Sequence, residues 1–278
     1  MNSRAEDSAR HGAALPAHWQ VQRLAGALGA EVRGARLAEL GDAEFAALRA
    51  LLLEHLVLFF PDQHLTIDEH VALGRRFGPL EAHPNLKNPF TQHPELFELA
   101  ASHGGVADEW HTDLTFRPDP AVLSVLQIRK APAVGGDTLW ASLYAAYEEL
   151  SEPMKALCDG LTALHDALPH NHPEQMAIHP VVRVHPETGR KALFVSEAYT
   201  IGIDGMPEDE AADLLAELFA HQVEDRFVYR HRWSAGLLTM WDNRCVLHRA
   251  TGGYEGHRRL LYRVTIAEPT TQPQAQPA

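Results

Sequence analysis

Leu237-Leu238-Thr239-Met240-Trp241-Asp242-Asn243-Arg244-Cys245-Val246-Leu247-His248 is the stretch whose reading decides the fold. Leu237 to Trp241 is apolar and rich in large side chains, as a buried strand is. Asp242, Asn243 and Arg244 interrupt it with a polar turn. The chain then becomes apolar again and presents His248 on a separate late strand. Leu260 to Ile266 supplies one more strand soon after. Late strands following one another without an intervening helix lack the regular βαβ alternation of a doubly wound fold.

Working outward, Val57 to Phe60, Ala121 to Ile128, Thr138 to Ala141, Ala192 to Ser196 and Phe227 to Trp233 also read as strands. Their connections differ widely in length, and no regular βαβ alternation is present. Many strands around one core with helices at one side predict a β-sandwich or jelly roll. The helices are placed by caps and apolar spacing. Asp42 precedes a face of Phe45, Leu48 and Leu52. Thr66 and Glu69 form a capping box for a helix ending near Gly78. Ala145 to Leu150 is a third, and Ser151 with Pro153 starts a fourth running to Leu157. Pro207 to His221 is a fifth. One domain over residues 16–268 is expected, between disordered tails at 1–15 and 269–278.

The 278 residues carry a net charge of -13. That balance excludes general nucleic-acid binding and a polybasic membrane patch. An anionic ligand then needs a few arginines gathered in one pocket. Cys158 and Cys245 are far apart and outline no disulfide framework. Met1 to Gly12 has no apolar secretory core, and no apolar run is long enough to span a bilayer. A soluble cytoplasmic protein is the expectation.

Chemistry enters at Trp110-His111-Thr112-Asp113. On an extended strand, His111 and Asp113 point to the same side and reach one ion together. With His248 they make two imidazoles and one carboxylate, the facial triad that suits non-haem iron(II). Zinc in a hydrolase uses the same residue types, and a non-catalytic jelly-roll binding module is a third reading. Arg259 and Arg263 separate these. Their even spacing on the last strand puts two guanidinium groups on one face, which is costly amid Leu261 and Val264 unless anions pair with them. An arginine near a metal suits a dicarboxylate that chelates the ion by its other end. Gly135-Gly136-Asp137-Thr138 offers a hydroxyl donor at a strand start.

Together, W-H-T-D at 110–113, G-G-D-T at 135–138, H-P-V-V-R-V-H-P at 179–186, W-D-N-R at 241–244 and the spacing of Arg259 and Arg263 after His248 resemble the taurine dioxygenase and 2,4-dichlorophenoxyacetate dioxygenase family. The resemblance covers about residues 20–267. It implies a double-stranded β-helix, or jelly roll, mainly β with flanking helices. It implies iron(II) on His111, Asp113 and His248, with 2-oxoglutarate and O2 as co-substrates. Thr138 and Arg259 would hold the distal carboxylate of 2-oxoglutarate. Arg263 would lie by the active site, on the co-substrate or on the acidic group of the substrate oxidised. His83 matches a substrate-contacting histidine. Leu86, Leu114 and Tyr199 are expected to line the substrate pocket.

The resemblance further implies oxidative decarboxylation of 2-oxoglutarate to succinate and CO2, coupled to hydroxylation of a carbon beside a heteroatom. Asp113 argues against a halogenating variant, which needs that position vacant. Leu86 stands where a tyrosine is expected, Ala107 stands where an asparagine is expected, and the loop between Asp166 and His179 is shorter. The pocket is therefore expected to be more apolar. A sulfonate, alkyl sulfate or aryloxy/aryl carboxylate is the expected small anionic substrate. Taurine itself, releasing sulfite and aminoacetaldehyde, is the alternative. A homo-oligomer, dimer or tetramer, is the expected assembly.

Overall fold

The computed structural model describes residues 14–82, 92–100, 107–254 and 257–268. His83 and Leu86 lie outside the described residues, as do 1–13 and 269–278 of the expected tails. Leu15, also assigned to the N-terminal tail, packs against the core.

Strands β1 (Gln20–Arg23) and β2 (Ala30–Arg33) lead to α1 (Asp42–His55), β3 (Val57–Phe60) and α2 (Ile67–Arg75). Next come β4 (Leu80–Glu81), β5 (Leu96–Ala100), β6 (Leu123–Lys130), β7 (Thr138–Ser142), α3 (Leu143–Glu148) and α4 (Glu152–Cys158). Then follow β8 (Thr162–Ala167), β9 (His172–Pro180), β10 (Val182–Val184), β11 (Lys191–Leu193), β12 (Thr200–Ile203) and α5 (Glu208–Gln222). The chain closes with β13 (Val228–His231), β14 (Leu238–Asp242), β15 (Val246–Ala250) and β16 (Leu260–Ile266).

The large sheet runs β1-β2-β3-β14-β6-β16-β4, with β5 also on β16. Among the described residues its β2–β3 pair alone is parallel. A smaller sheet, β13-β7-β15, is extended by a single antiparallel bridge between His111 and His248. The fold is a jelly roll, mainly β, as expected.

Alternation along the large sheet separates two cores. Leu58, Phe60, Val125, Leu238, Met240, Val264 and Ile266 pack with Leu48 and Leu52 of α1 and Val71 of α2. Val57, Phe59, Leu126, Ile128, Trp241 and Leu261 join Trp140, Val246 and Leu247 in the interior between the sheets. Ser124 shares the parity of Leu126, and Arg263 that of Leu261. Both polar side chains therefore enter this interior, where only paired groups are tolerable.

The helix caps form largely where the sequence places them. The Thr66 hydroxyl accepts from the Glu69 amide at 3.2 Å, while the Glu69 carboxylate accepts from the Thr66 amide at 2.7 Å. That helix ends at Arg75 rather than near Gly78, because the Arg76 and Phe77 amides turn back three residues to Leu73 and Gly74. Asp42 is the first residue of α1, and Gly41 occupies the cap position expected of it. The strand expected over Ala192 to Ser196 is β11, ending at Leu193. Gln222 of α5 donates to the Leu193 and Val195 carbonyls in place of a further strand partner. The segment between Asp166 and His179, read as a loop, is largely β9, paired to β8.

Candidate metal centre

His111, Asp113 and His248 converge, each offering one ligand atom within 4.8 Å of the others. The convergence is built by the bridge that adds His111 to the edge of β15. The His111 amide donates to the His248 carbonyl at 3.1 Å, and the His248 amide returns to the His111 carbonyl at 2.8 Å. His111 and Asp113 do not share a regular strand as the spacing suggested. After the bridge the chain turns at once, with Leu114 in the left-handed region at φ 59°. The extended segment thus ends at Asp113, two residues after the bridge, and the carboxylate stays beside the imidazoles.

The gaps are the informative distances. His111 Nε2 lies 3.9 Å and His248 Nε2 3.8 Å from Asp113 Oδ1. Both are too long for hydrogen bonds. His111 donates from Nδ1 to the Glu109 carbonyl at 2.9 Å, which fixes the tautomer and leaves the Nε2 lone pair free. Burial, the largest cause, lowers the pKa of His111 and pushes that of His248 well below the ordinary value. Both rings are thus neutral and able to ligate. Burial works the other way on Asp113, but Arg263, then His248, His111 and Ser124, outweigh it. They hold this carboxyl below the usual carboxylate range. Two neutral imidazoles and one ionised carboxylate fit a six-coordinate divalent ion and leave positions open for other ligands.

The arginines have different surroundings. Arg263 donates from Nη1 to both Asp113 oxygens, at 3.0 and 3.2 Å. Arg259 precedes β16, which carries an irregularity at Leu260 and Leu261. The even-spacing argument therefore holds for burial, at 7 % exposure for each, but not for one uninterrupted strand face. Arg259 sits between the rings of Trp233 (5.9 Å) and Tyr254 (5.8 Å), and among the described residues it makes no salt bridge. Its Nε has no hydrogen-bond partner. Gly136, at φ +68°, keeps this place open: a Cβ there would lie 3.1 Å from Arg259 Cδ. Trp233 donates to the Thr138 hydroxyl at 2.9 Å, leaving that hydroxyl's own proton for another acceptor. Thr138 pairs with Ala250 across β7 and β15, on the sheet face that carries His248.

A cavity of about 470 Å3 adjoins His111, lined among others by Ala107, Glu109, Leu168, His170 and Tyr199. Tyr199 meets His111 edge-on at 6.0 Å. Its hydroxyl bonds His170 Nε2 at 3.0 Å. Leu114 is buried with Phe116, Ala121, Ala167 and Tyr199. Asp108, Asp166 and Glu197 add acidic groups to a lining that also holds Leu168, Pro169, Ala198 and Ile201. Sequence reasoning missed His170, Phe116, Ser124 and Asn243. Ser124 carried a usable signal, as a hydroxyl inside the apolar run of β6.

A family model described as taurine catabolism dioxygenase TauD, TfdA family matches residues 20–265. The chain belongs to the TauD/TfdA dioxygenase family. Over 277 residues it is 33% identical to an (S)-phenoxypropionate/alpha-ketoglutarate-dioxygenase of Sphingobium herbicidovorans, covering 90% of this chain and 95% of the relative. It is 34% identical to an alpha-ketoglutarate-dependent sulfate ester dioxygenase of Pseudomonas putida, over 96% and 94% of the two chains. A crystal structure of a taurine dioxygenase from Burkholderia xenovorans superposes with a TM-score of 0.84 at 37% identity, covering 91% and 90%. The TauD/TfdA assignment bears out the jelly roll, the dioxygenase class and the resemblance drawn from the motifs. It leaves the hydrolase and the non-catalytic module without support. Among the described residues no helix is long and apolar enough to cross a membrane.

Proposed function

We propose that this protein is an iron(II)- and 2-oxoglutarate-dependent dioxygenase acting on a small anionic organic substrate, at a carbon next to a sulfonate, sulfate-ester or ether heteroatom. The observation that carries the reading is the gap bounded by His111, Asp113 and His248, with a guanidinium, Arg263, directly on its carboxylate. In this reading the three residues hold the iron, which supplies oxygen activation driven by decarboxylation of 2-oxoglutarate to succinate and CO2.

The chain's own residues do the positioning. Arg259 and Thr138 receive the distal carboxylate of 2-oxoglutarate. A buried guanidinium with an unpartnered Nε gains most from a bidentate anion in such a place. Arg263, four residues further along and bonded to Asp113, meets the acidic group of the substrate or the co-substrate. Tyr199 lines the cavity beside His111, and Leu114 packs with it from the buried side. The relatives' printed substrates, a phenoxypropionate and sulfate esters, share an anionic group and a heteroatom-bearing carbon. We assign the substrate to that chemistry, with taurine as the second candidate.

Residues 16–268 are taken as one catalytic unit, and a reducing cytoplasm as its compartment, which suits the two free, buried cysteines. Met176 and Ile178, 47% and 56% exposed at alternate positions of edge strand β9, support a homo-oligomer.

The test is a panel of sulfonates, alkyl sulfates and phenoxy acids under iron(II) and 2-oxoglutarate. Succinate formation is followed together with sulfite, sulfate or phenol release. One class raising both products is the expected result. Product release that needs no 2-oxoglutarate would overturn the reading and return the site to a hydrolase.

A further inference from the structure

The W-D-N-R motif contributes no ligand, yet two of its residues, Trp241 and Asn243, are tied through Ser124 to the metal centre. Trp241 on β14 lies directly opposite Ser124 on β6 in the sheet register. The Trp241 indole Nε1 donates to Asn243 Oδ1 at 2.9 Å. Asn243 Nδ2 donates to the Ser124 hydroxyl at 3.1 Å, and that hydroxyl donates to Asp113 Oδ2 at 2.8 Å. Every donor in this chain points the same way, toward the carboxylate. Trp241, Asn243 and Ser124 are 1%, 0% and 0% exposed, so water does not compete for any link. The Trp241 ring also packs on the His248 imidazole, with centroids 4.8 Å apart. One side chain thus touches one candidate ligand and starts the chain that ends on another.

We infer that Ser124 and Asn243 are positioning residues that hold Asp113 for monodentate metal binding through Oδ1. Oδ2 is engaged by the Ser124 hydroxyl, and Oδ1 is the oxygen turned toward both imidazoles, at 3.9 and 3.8 Å. Arg263 bonds both oxygens and cannot choose between them. Among the described residues only the Ser124 hydrogen bond distinguishes one oxygen from the other. Asn243 sets the direction of that bond, because its amide proton occupies one acceptor position of the hydroxyl and turns the hydroxyl proton toward Asp113. Such partners of a ligating carboxylate are worth about 10- to 100-fold in metal affinity.

The inference rests on Asp113 being a ligand, and the test separates the two. Metal-free full-length protein is titrated with Mn(II), with binding read from the loss of free-ion electron paramagnetic resonance signal. Ser124→Ala should weaken Mn(II) binding by about 10-fold or more, while the melting temperature of the metal-free protein stays close to wild type. Ser124→Thr, which keeps the hydroxyl, should restore binding. Asn243→Ala should weaken binding too, and the double variant Ser124→Ala/Asn243→Ala should lose no more than the worse single one, as linked groups do. Unchanged Mn(II) affinity in Ser124→Ala, additive losses in the double variant, or no rescue by a folded Ser124→Thr would each overturn the inference. Asp113→Ala is the companion. If it binds Mn(II) as tightly as wild type, the site assignment itself fails. If it loses binding while Ser124→Ala does not, only the positioning role fails.

Discussion

Two buried aspartates, Asp113 and Asp242, look alike in the sequence and differ in what surrounds them. Each stands in a short polar motif, and each is paired with an arginine and at least one histidine. Asp242 is saturated. Its Oδ1 accepts from the Arg244 amide and Nε at 3.0 and 2.8 Å, and its Oδ2 from Arg244 Nη2 and His185 Nε2 at 2.6 and 3.0 Å. Arg244 in turn reaches Glu187 at 2.9 Å. Nothing in that cluster waits for a ligand. At Asp113 the hydroxyl and guanidinium contacts are made, but both imidazole nitrogens stop nearly 4 Å short. A fully bonded cluster holds the fold together. One that keeps its donors apart, at the cost of burying them, has room for something else.

The largest effect that can break this contrast comes from Asp113→Ala. Succinate formation from 2-oxoglutarate should vanish, with the fold retained by circular dichroism. Persisting turnover would put Asp113 on the same footing as Asp242. Asp242→Ala should do the reverse. Removing one partner of a buried ion pair costs about 3–5 kcal/mol, read as a lower urea midpoint, while the surviving folded protein still binds metal.

Arg259→Ala sharpens the comparison from the co-substrate side. Losing charged hydrogen bonds worth about 1.5–3 kcal/mol should raise the KM for 2-oxoglutarate by about 10- to 150-fold. A KM within twofold of wild type would remove Arg259 from that role.

Acid stability tests a third kind of buried polar group, the histidine without a carboxylate. Among the described residues the His70 ring bonds the Val125 carbonyl alone, at 3.0 Å, and burial lowers its pKa to about 4. The unfolded residue, near 6.5, binds a proton that the folded one refuses. Stability from this group is therefore complete above about pH 6.5 and is lost as pH falls toward 4, by about 1.4 kcal/mol per unit. His70→Gln should flatten the dependence of the urea midpoint on pH in that window. An unaltered slope would assign the loss to other groups. The smallest effect is expected from Tyr199→Phe, which deletes the bond to His170. It should change the KM for the substrate oxidised by about fivefold, near 1 kcal/mol, with the KM for 2-oxoglutarate unmoved.

Much of this is legible in the sequence. The apolar runs that became β3, β6, β14 and β16 bury residues on both faces, so their composition alone marks them. The ligand candidates His111, Asp113 and His248 were legible by residue type and order, and Arg259 by the cost of burying it. What escaped has a common cause. β9 (His172–Pro180) has a proline near each end and few β-branched residues, and its pairing is set by β8 rather than by propensity. Asn243 reads as a turn residue, because nothing local reveals that its amide meets Ser124, 119 positions away. His170 and Tyr199 meet only after the hairpin between β8 and β9 has formed. Long-range hydrogen bonds among small polar side chains leave no periodic trace in a sequence.

Leu114 carries a consequence of another kind. It holds a left-handed backbone next to Asp113 while its side chain fills a cluster with Phe116, Ala121, Ala167 and Tyr199. A branched residue in that conformation costs about 1–2 kcal/mol. Glycine would remove the strain but empty the cluster. Any other residue large enough to fill it keeps the strain. Single substitutions at this position therefore lead downhill in either folding or pocket shape. Drift in substrate preference is easier at sites such as Ala107 or Leu168, where the cavity wall changes without disturbing the turn next to Asp113.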